Sequence, residues 1–194
     1  MTQSTPDSGA RRRALATVGV MAFGRKDYDR AEAVQIRLVR EAKEAREPVE
    51  VATALYNLAN TYLARKEPER AVEALTSALE GCYFHGIDQM LALVYCNLGV
   101  ALHRSGQKDE AFASFKVARD MFRAEDNIPS EAHVCDCLAL LYYEDGRQQE
   151  AEGIWSYALS LYDRITDPLM QDVREGGRAA ILQKLEHFGA RHAA

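Results

Sequence analysis

The sequence predicts an all-α fold in which helical hairpins stack as a solenoid of four repeats followed by a C-terminal capping helix. Three observations predict it: a residue pattern that returns every 40 positions, apolar stripes with the period of a helix, and Pro and Gly where helices should begin and end. A single hairpin cannot cover its outer apolar edge, so the hairpins are expected to pack on one another.

The 40-residue period is clearest at the alanine that ends the phrases RKDYDRA and RKEPERA. It recurs as Ala31, Ala71, Ala111 and Ala151. In the last three copies, Leu followed by Ala or Gly precedes this alanine, and a second Ala follows it seven residues later. The first copy is weaker. Several positions that recur together at one offset indicate a true repeat.

Each repeat contains two apolar stripes with helical spacing. In the second copy, Leu55, Leu58 and Tyr62 lie on one face of a first helix, and Ala71 and Leu75 lie on one face of a second helix. The small residues let two antiparallel helices approach closely, and larger side chains fill the space beside them. Each repeat is therefore predicted to form a helical hairpin.

Pro and Gly mark the predicted helix ends. Pro48, Pro68 and Pro129 suit first helical positions, where the missing N–H would be unpaired in any case. Gly106 and Gly146 suit the ends of first helices. The predicted repeat helices cover residues 10–25, 28–46, 48–65, 68–83, 87–105, 108–124, 129–145 and 148–166.

The ends of the chain are predicted to differ from the repeats. Residues 1–10 are expected to be disordered, residues 11–167 to form the four repeats, and residues 168–194 to form the capping helix and a tail. Asp167 is the predicted N-cap of this helix, and a kink or a break is expected at Gly176-Gly177. The side chains expected to cover the last hairpin are Val173, Ala180, Ile181, Leu185 and Phe188.

The pattern Leu58-Ala59-x-x-Tyr62, Ala71-x-x-x-Leu75 and Ala78 resembles the tetratricopeptide repeat, and its 40-residue length is similar to kinesin light chain repeats. The resemblance covers about residues 11–165. It implies a non-enzymatic adaptor that binds a peptide or a helical segment of another protein in a concave groove. A small chaperone for a secreted or assembling subunit is the alternative.

The resemblance also implies which residues line this groove. In the weaker first copy the matching positions hold Ala16, Val20 and Phe23. The candidate binding residues of the other copies are Tyr56, Asn57, Asn60 and Leu63, then Cys96, Asn97, Val100 and His103, then His133, Asp136, Leu140 and Tyr143. Two alternatives stay open: packing between repeats for Val20, Val100 and Leu140, and bracing of the helices for Asn57 and Asn97.

Some members of the family hold a C-terminal carboxylate with basic residues and Asn at set groove positions. The corresponding positions hold Ala16, Tyr56, Leu93, Cys96 and Asn97, so a basic clamp is not expected here.

Charge and motifs narrow the function further. The net charge of −5 argues against a general nucleic-acid surface and against binding to anionic membranes. No phosphate loop, dinucleotide-binding glycine pattern or hydrolase motif is present, so neither enzyme activity nor a cofactor is expected. Cys96 and His133 are residue types that bind metals, but they are not spaced as the ligands of a metal site are, so no metal site is expected. The oligomeric state is left open.

The cysteines and the N-terminal region bear on the compartment. Four cysteines without a disulfide-like pattern predict buried, reduced thiols and a cytoplasmic protein. The stretch RRRALATVGVMAFG at 11–24 has the outline of an export signal, which leaves an exported protein as the alternative. If this stretch is instead the first repeat helix, its three arginines are expected to lie in solvent at the start of that helix. A contact with an acidic partner is the alternative.

Overall fold

The computed structural model describes residues 8–189, which form nine α-helices, one short 3-10 helix and no β-strand. The helices are α1 (Ser8–Gly24), α2 (Tyr28–Ala45), α3 (Pro48–Ala64), α4 (Pro68–His85), α5 (Asp88–Arg104), α6 (Lys108–Ala124), α7 (Ile128–Glu144), α8 (Gln148–Asp163) and α9 (Gln171–Gly189). The predicted all-α fold class is confirmed, and the eight repeat helices lie where the repeat pattern placed them.

The helices belong to two compact units, the first ending at Gln107 and the second beginning at Lys108. In the first unit α1 packs on α2, α2 on α3, α3 on α4 and α4 on α5, and α3 also contacts α1 and α5. In the second unit α6 packs on α7 and α7 packs on α8, while α9 contacts both α7 and α8.

The repeated small residues are buried where the helices of a pair pack. Ala71 of α4 and Ala59 of α3 have no exposed surface, and the same holds for Ala151 of α8 and Ala139 of α7. Side chains of this size let the backbones come close. The alanine period in the sequence therefore records the packing of the hairpins.

One residue in each turn after a first helix has left-handed backbone geometry. These residues are Lys26, Lys66, Gly106 and Gly146, with φ of 61°, 63°, 83° and 76°. Only glycine adopts this region without steric cost, whereas a residue with a Cβ is less stable there by about 1–2 kcal/mol. The two lysines therefore hold a conformation that favours glycine.

Lys66→Gly is expected to raise the free energy of unfolding by about 1 kcal/mol, because glycine relieves the left-handed strain. Urea denaturation followed by circular dichroism measures this change. Ala64→Gly is the matched control, since Ala64 is exposed at the end of α3 with ordinary helical geometry. The control should lower stability by about 0.5–1 kcal/mol. A loss of stability in both variants would contradict the strain argument.

The N-terminal helix corrects two expectations. Helix α1 begins at Ser8, so residues 8–10 are helical rather than disordered, while residues 1–7 lie outside the described part of the chain. Arg12 was expected to be solvated but is only 7% exposed, and its Nε donates to Glu50 Oε2 at 2.5 Å. A buried guanidinium needs such an acceptor. This ion pair joins α1 to α3.

The C-terminal helix corrects a third expectation. Asp167 acts as an N-cap, but for a 3-10 helix, Pro168–Met170, by accepting from the backbone N–H of Leu169 at 2.9 Å. Helix α9 then runs from Gln171 to Gly189 without a break at Gly176-Gly177. Gly177 has a packing reason instead, because a Cβ there would overlap the ring of Tyr162.

The packing face of α9 also differs in part from the predicted one. Ile181 is buried, and Leu185 and Phe188 pack against the core of the second unit. Val173 and Ala180 were predicted to join them but are exposed. Val173 precedes the part of α9 that contacts the core, and Ala180 is the neighbour of Ile181 in sequence. The spacing of apolar residues alone therefore did not identify which residues of α9 are buried.

Candidate functional site

Two small hollows lie along α1 and α3 in the first unit, and together we call them the α1–α3 groove. Each has a volume of about 130 Å³, and both are lined by Gln35 and Asn57. The first hollow also includes Arg12, Ala16, Glu50 and Thr53, and the second also includes Gly19, Val20, Phe23 and Asn60. Residues predicted from two separate repeats are thus brought together here.

The second hollow has an exposed apolar rim. Val20 is 57% exposed and Phe23 is 37% exposed. The Phe23 ring also contacts the ring of Tyr28, with a centroid distance of 5.8 Å. The packing alternative for Val20 is therefore wrong in this unit, because most of its side chain is open to solvent.

The asparagines of α3 and α5 form a bridge. Asn97 Nδ2 donates to Asn60 Oδ1 at 2.6 Å, so Asn97 does brace two helices, as the alternative held. Asn57, one turn before Asn60, is half-buried and lines both hollows. A carboxamide has two donors and one acceptor oxygen with two lone pairs, so Asn60 keeps capacity for a ligand.

Gln35 of α2 forms part of the floor of the groove and was missed by the sequence analysis. It is 2% exposed, and its Oε1 has no hydrogen-bond partner within residues 8–189. Gly19 of α1 makes room for it, since a Cβ there would lie 2.6 Å from Gln35 Nε2. The available signal was the repeat itself. Gln35 occupies the position that holds Leu75, Phe115 and Trp155 in the other copies.

The other candidates in the first unit are less open. Leu63 and Cys96 are buried in the core, and Tyr56, Val100 and His103 are half-buried. Leu63 and Cys96 therefore have little exposed surface with which to contact a partner. Which of the other three contact a partner stays a prediction.

Burial also governs the thiols. It raises the pKa of Cys96 to about 11 and, as the main cause, that of Cys135 to about 12. All four cysteines are free in the structure. A thiol with so high a pKa is neutral near pH 7 and therefore a poor nucleophile.

In the second unit, α9 lies over part of the predicted binding surface. Asp136 accepts from Trp155 Nε1 at 2.8 Å and from Lys184 Nζ at 2.5 Å. The ring of Tyr143 lies 4.0 Å from that of Phe188 between centroids. His133 is exposed and Leu140 is half-buried. Asp136 and Tyr143 therefore already have partners on the capping helix.

A larger hollow of about 730 Å³ lies elsewhere in the first unit and was also missed. It is formed by the ends of α2 and α4 and the start of α3, with Val51, Leu55 and Ala78 among its lining. Phe84 at its rim is 84% exposed. The sequence signal was the aromatic pair Tyr83-Phe84 at the end of α4, beyond the last repeat position.

Two searches for other kinds of site found nothing in the described range. Between Ser8 and Gly189, no group of three or more His, Cys, Asp or Glu side chains is placed to hold a metal ion. In the same range, no helix combines the length and the apolar character needed to cross a membrane.

Comparison with protein families gives a match to tetratricopeptide repeat models at two places, residues 11–83 and residues 92–118. Together these matches cover parts of the first three sequence copies. No curated protein matches the chain by sequence.

Comparison with solved structures finds similar folds. The apo form of RapI has a TM-score of 0.77 at 14% identity, over 96% of this chain and 55% of RapI. A Rap protein complexed with Competence and Sporulation Factor has a TM-score of 0.74 at 17% identity, over 95% of this chain and 55% of the Rap chain. This chain thus spans about half the length of these two proteins.

A third similar structure has nearly the same length as this chain. It is a Podosopora anserina kinesin light chain protein with nearly identical TPR-like repeats, with a TM-score of 0.71 at 16% identity. The alignment covers 97% of this chain and 98% of that one. At sequence identities this low, the three matches show a similar fold and nothing more.

Proposed function

Because the chain belongs to the tetratricopeptide repeat family, we propose that it is a non-enzymatic adaptor that binds a segment of another protein in the α1–α3 groove. Repeats of this family serve as scaffolds for protein interaction. The observation that carries the proposal is the lining of the groove, where exposed Val20 and Phe23 lie beside the carboxamides of Asn57 and Asn60.

The size of the groove favours a protein segment over a small-molecule substrate. Each hollow has about 130 Å³, whereas small-molecule sites usually have roughly 300–1,000 Å³. Two small hollows in a row suit successive side chains of a bound segment. An aromatic side chain at the rim, such as Phe23, is typical of protein interfaces.

The polar groups suit recognition of a backbone. Carboxamides both donate and accept, so Asn57 and Asn60 can pair with peptide groups whatever side chains the segment carries. Three charged residues line the groove, Arg12, Arg13 and Glu50, and the ion pair between Arg12 and Glu50 leaves a single net charge. Binding is therefore expected to depend only weakly on salt concentration.

The similar structures support this proposal by analogy. One of the Rap structures is a complex with Competence and Sporulation Factor, so a related fold binds another molecule in that case. Tyr56, Val100 and His103 are proposed as further contacts in the first unit, and His133 and Leu140 in the second.

A site-specific photo-crosslinker tests the proposal. A benzophenone amino acid at position 20, on the exposed rim, should capture one partner protein in extracts of the native host. Mass spectrometry then identifies both the partner and the segment that was crosslinked. The matched control carries the same group at position 84, which is also exposed but lies outside the groove. Capture of the same segment from position 84 and not from position 20 would place the site elsewhere.

A further inference from the structure

Gln35 carries an unused hydrogen-bond acceptor inside the α1–α3 groove. Its side chain is almost fully buried, and Oε1 has no partner within the described residues. A buried polar atom without a partner is unfavourable, and such atoms are rare in folded proteins. An acceptor left in this state is therefore suited to a donor that arrives with a ligand.

The other repeats show how this position is occupied without a free acceptor. Leu75 in the second copy and Phe115 in the third are buried apolar side chains. In the fourth copy the polar atom of Trp155 is satisfied, since its indole N–H donates to Asp136. Gln35 alone combines burial with an unsatisfied oxygen among these four, and the absence of a Cβ at Gly19 gives it room.

The charges near the groove favour a neutral donor. No charged residue lines the second hollow. In the first hollow the carboxylate of Glu50 is already paired with Arg12, and the third charged residue of the lining, Arg13, is another cation. An ammonium or guanidinium group bound at Gln35 would thus be desolvated without a free counter-charge, which is costly.

Asn57 selects among neutral donors. It lines the same two hollows as Gln35, and its hydrogen bond with Thr61 uses the backbone carbonyl oxygen rather than the side chain. An amide group offers a donor for Gln35 and an acceptor for Asn57 at once. A hydroxyl group would have to serve both partners through one oxygen atom, whereas an amide serves them through two separate atoms.

We propose that Gln35 Oε1 accepts a hydrogen bond from the N–H of an amide group of the bound segment, while Asn57 Nδ2 donates to the carbonyl oxygen of that group. This inference rests on the proposed function. The amide has two sources, a backbone peptide group or the side chain of Asn or Gln, and both offer the same donor and acceptor.

Substitution at position 35 separates a binding role from a packing role. Gln35→Leu installs the residue of the second repeat and removes the unpaired oxygen, so it should raise Tm while it weakens binding of the crosslinked segment at least tenfold. Gln35→Met keeps the side-chain length and the absence of branching at Cβ and Cγ, and it should also weaken binding. Unchanged binding in both variants, or a lower Tm with unchanged binding in the variant that folds, would overturn the inference.

Small probes identify the amide source. N-methylacetamide represents the peptide group, propionamide represents the Asn or Gln side chain, and acetone is an acceptor without N–H. In nitrogen-15 NMR, an amide probe should give a saturable shift of the Asn57 side-chain resonances that Gln35→Met abolishes. The amide probe that binds more tightly shows whether the amide comes from the backbone or from an Asn or Gln side chain. Equal shifts with acetone, or no shift with any probe, would mean that the oxygen binds only water and would overturn the inference.

Two variants distinguish failure of the amide site from failure of the groove as a binding surface. If Phe23→Ala weakens binding of the partner segment and Gln35→Met does not, the amide site is wrong and the groove is still the binding surface. If neither variant changes binding, the proposed function of the groove is wrong, and the inference falls with it.

Discussion

Trp155→Ala is expected to lower the free energy of unfolding by about 3–5 kcal/mol, the usual cost of truncating a buried aromatic side chain. Trp155 is fully buried in the core of the second unit, together with Leu161 and Ile181. Its ring stacks on that of Phe188, with centroids 5.5 Å apart and planes 11° apart. The truncation would leave a cavity and also remove the hydrogen bond to Asp136.

Trp155→Phe separates the loss of ring packing from the loss of the hydrogen bond to Asp136. The phenyl ring keeps much of the packing but leaves Asp136 without the indole donor, so a smaller loss of about 1–3 kcal/mol is expected. Guanidinium unfolding followed by circular dichroism is the suitable measurement, because Trp155 is the single tryptophan of the chain and both variants lack its fluorescence. A loss below about 1 kcal/mol for Trp155→Ala would show that this core is loosely packed.

Ile181→Asp is expected to destabilise the second unit by about 3–5 kcal/mol, because it buries a carboxylate without a partner. Ile181 is 1% exposed and is the residue of α9 that enters the core cluster around Trp155 and Tyr162. The charge should release α9 from α7 and α8. Urea unfolding measures the energy, and hydrogen exchange shows whether the amides of α9 lose protection.

The neighbouring residue provides the control for this prediction. Leu182 is 43% exposed, so Leu182→Asp places the same charge in the same helix but in solvent. Its effect should stay within about 0.5 kcal/mol. Equal losses in the two variants would mean that α9 does not dock through the face that contains Ile181.

The parts of the fold that repeat were predictable from the sequence. Ala31, Ala71, Ala111 and Ala151 recur because every hairpin packs through the same small side chain, so one pattern was read four times. Pro48 and Pro68 do begin their helices and Pro129 is the second residue of α7, since proline has no N–H to lose at a helix start. Local chemistry and the period together located the helices.

The features that depend on contacts distant in sequence could not be predicted in this way. The burial of Arg12 depends on Glu50, and the need for Gly177 depends on Tyr162, and neither contact has a signature in the local sequence. A lone glycine pair in a helix usually weakens it, so a kink was the natural expectation. Tertiary packing overrode that propensity.

The candidate site shows the same division. Position within the repeat identified Val20, Phe23 and Asn60 as groove residues, and they do line one hollow. It missed Gln35, because the candidate residues were all taken from the first helix of each hairpin. It also treated Asp136 and Tyr143 as open to a partner. Lys184 and Phe188, which contact them from α9, lie beyond the last repeat, so the repeat pattern could not predict these contacts.

The affinity of the crosslinked partner segment for groove and control variants decides whether the α1–α3 groove is the binding site. Isothermal titration calorimetry would compare the full chain with Phe23→Ala and Phe84→Ala, two truncations of exposed aromatic side chains. Binding in the α1–α3 groove predicts a loss of about 1–3 kcal/mol for Phe23→Ala, and a change below about 0.5 kcal/mol for Phe84→Ala. Full affinity in Phe23→Ala together with a large loss in Phe84→Ala would contradict the claim and assign binding to the 730 Å³ hollow.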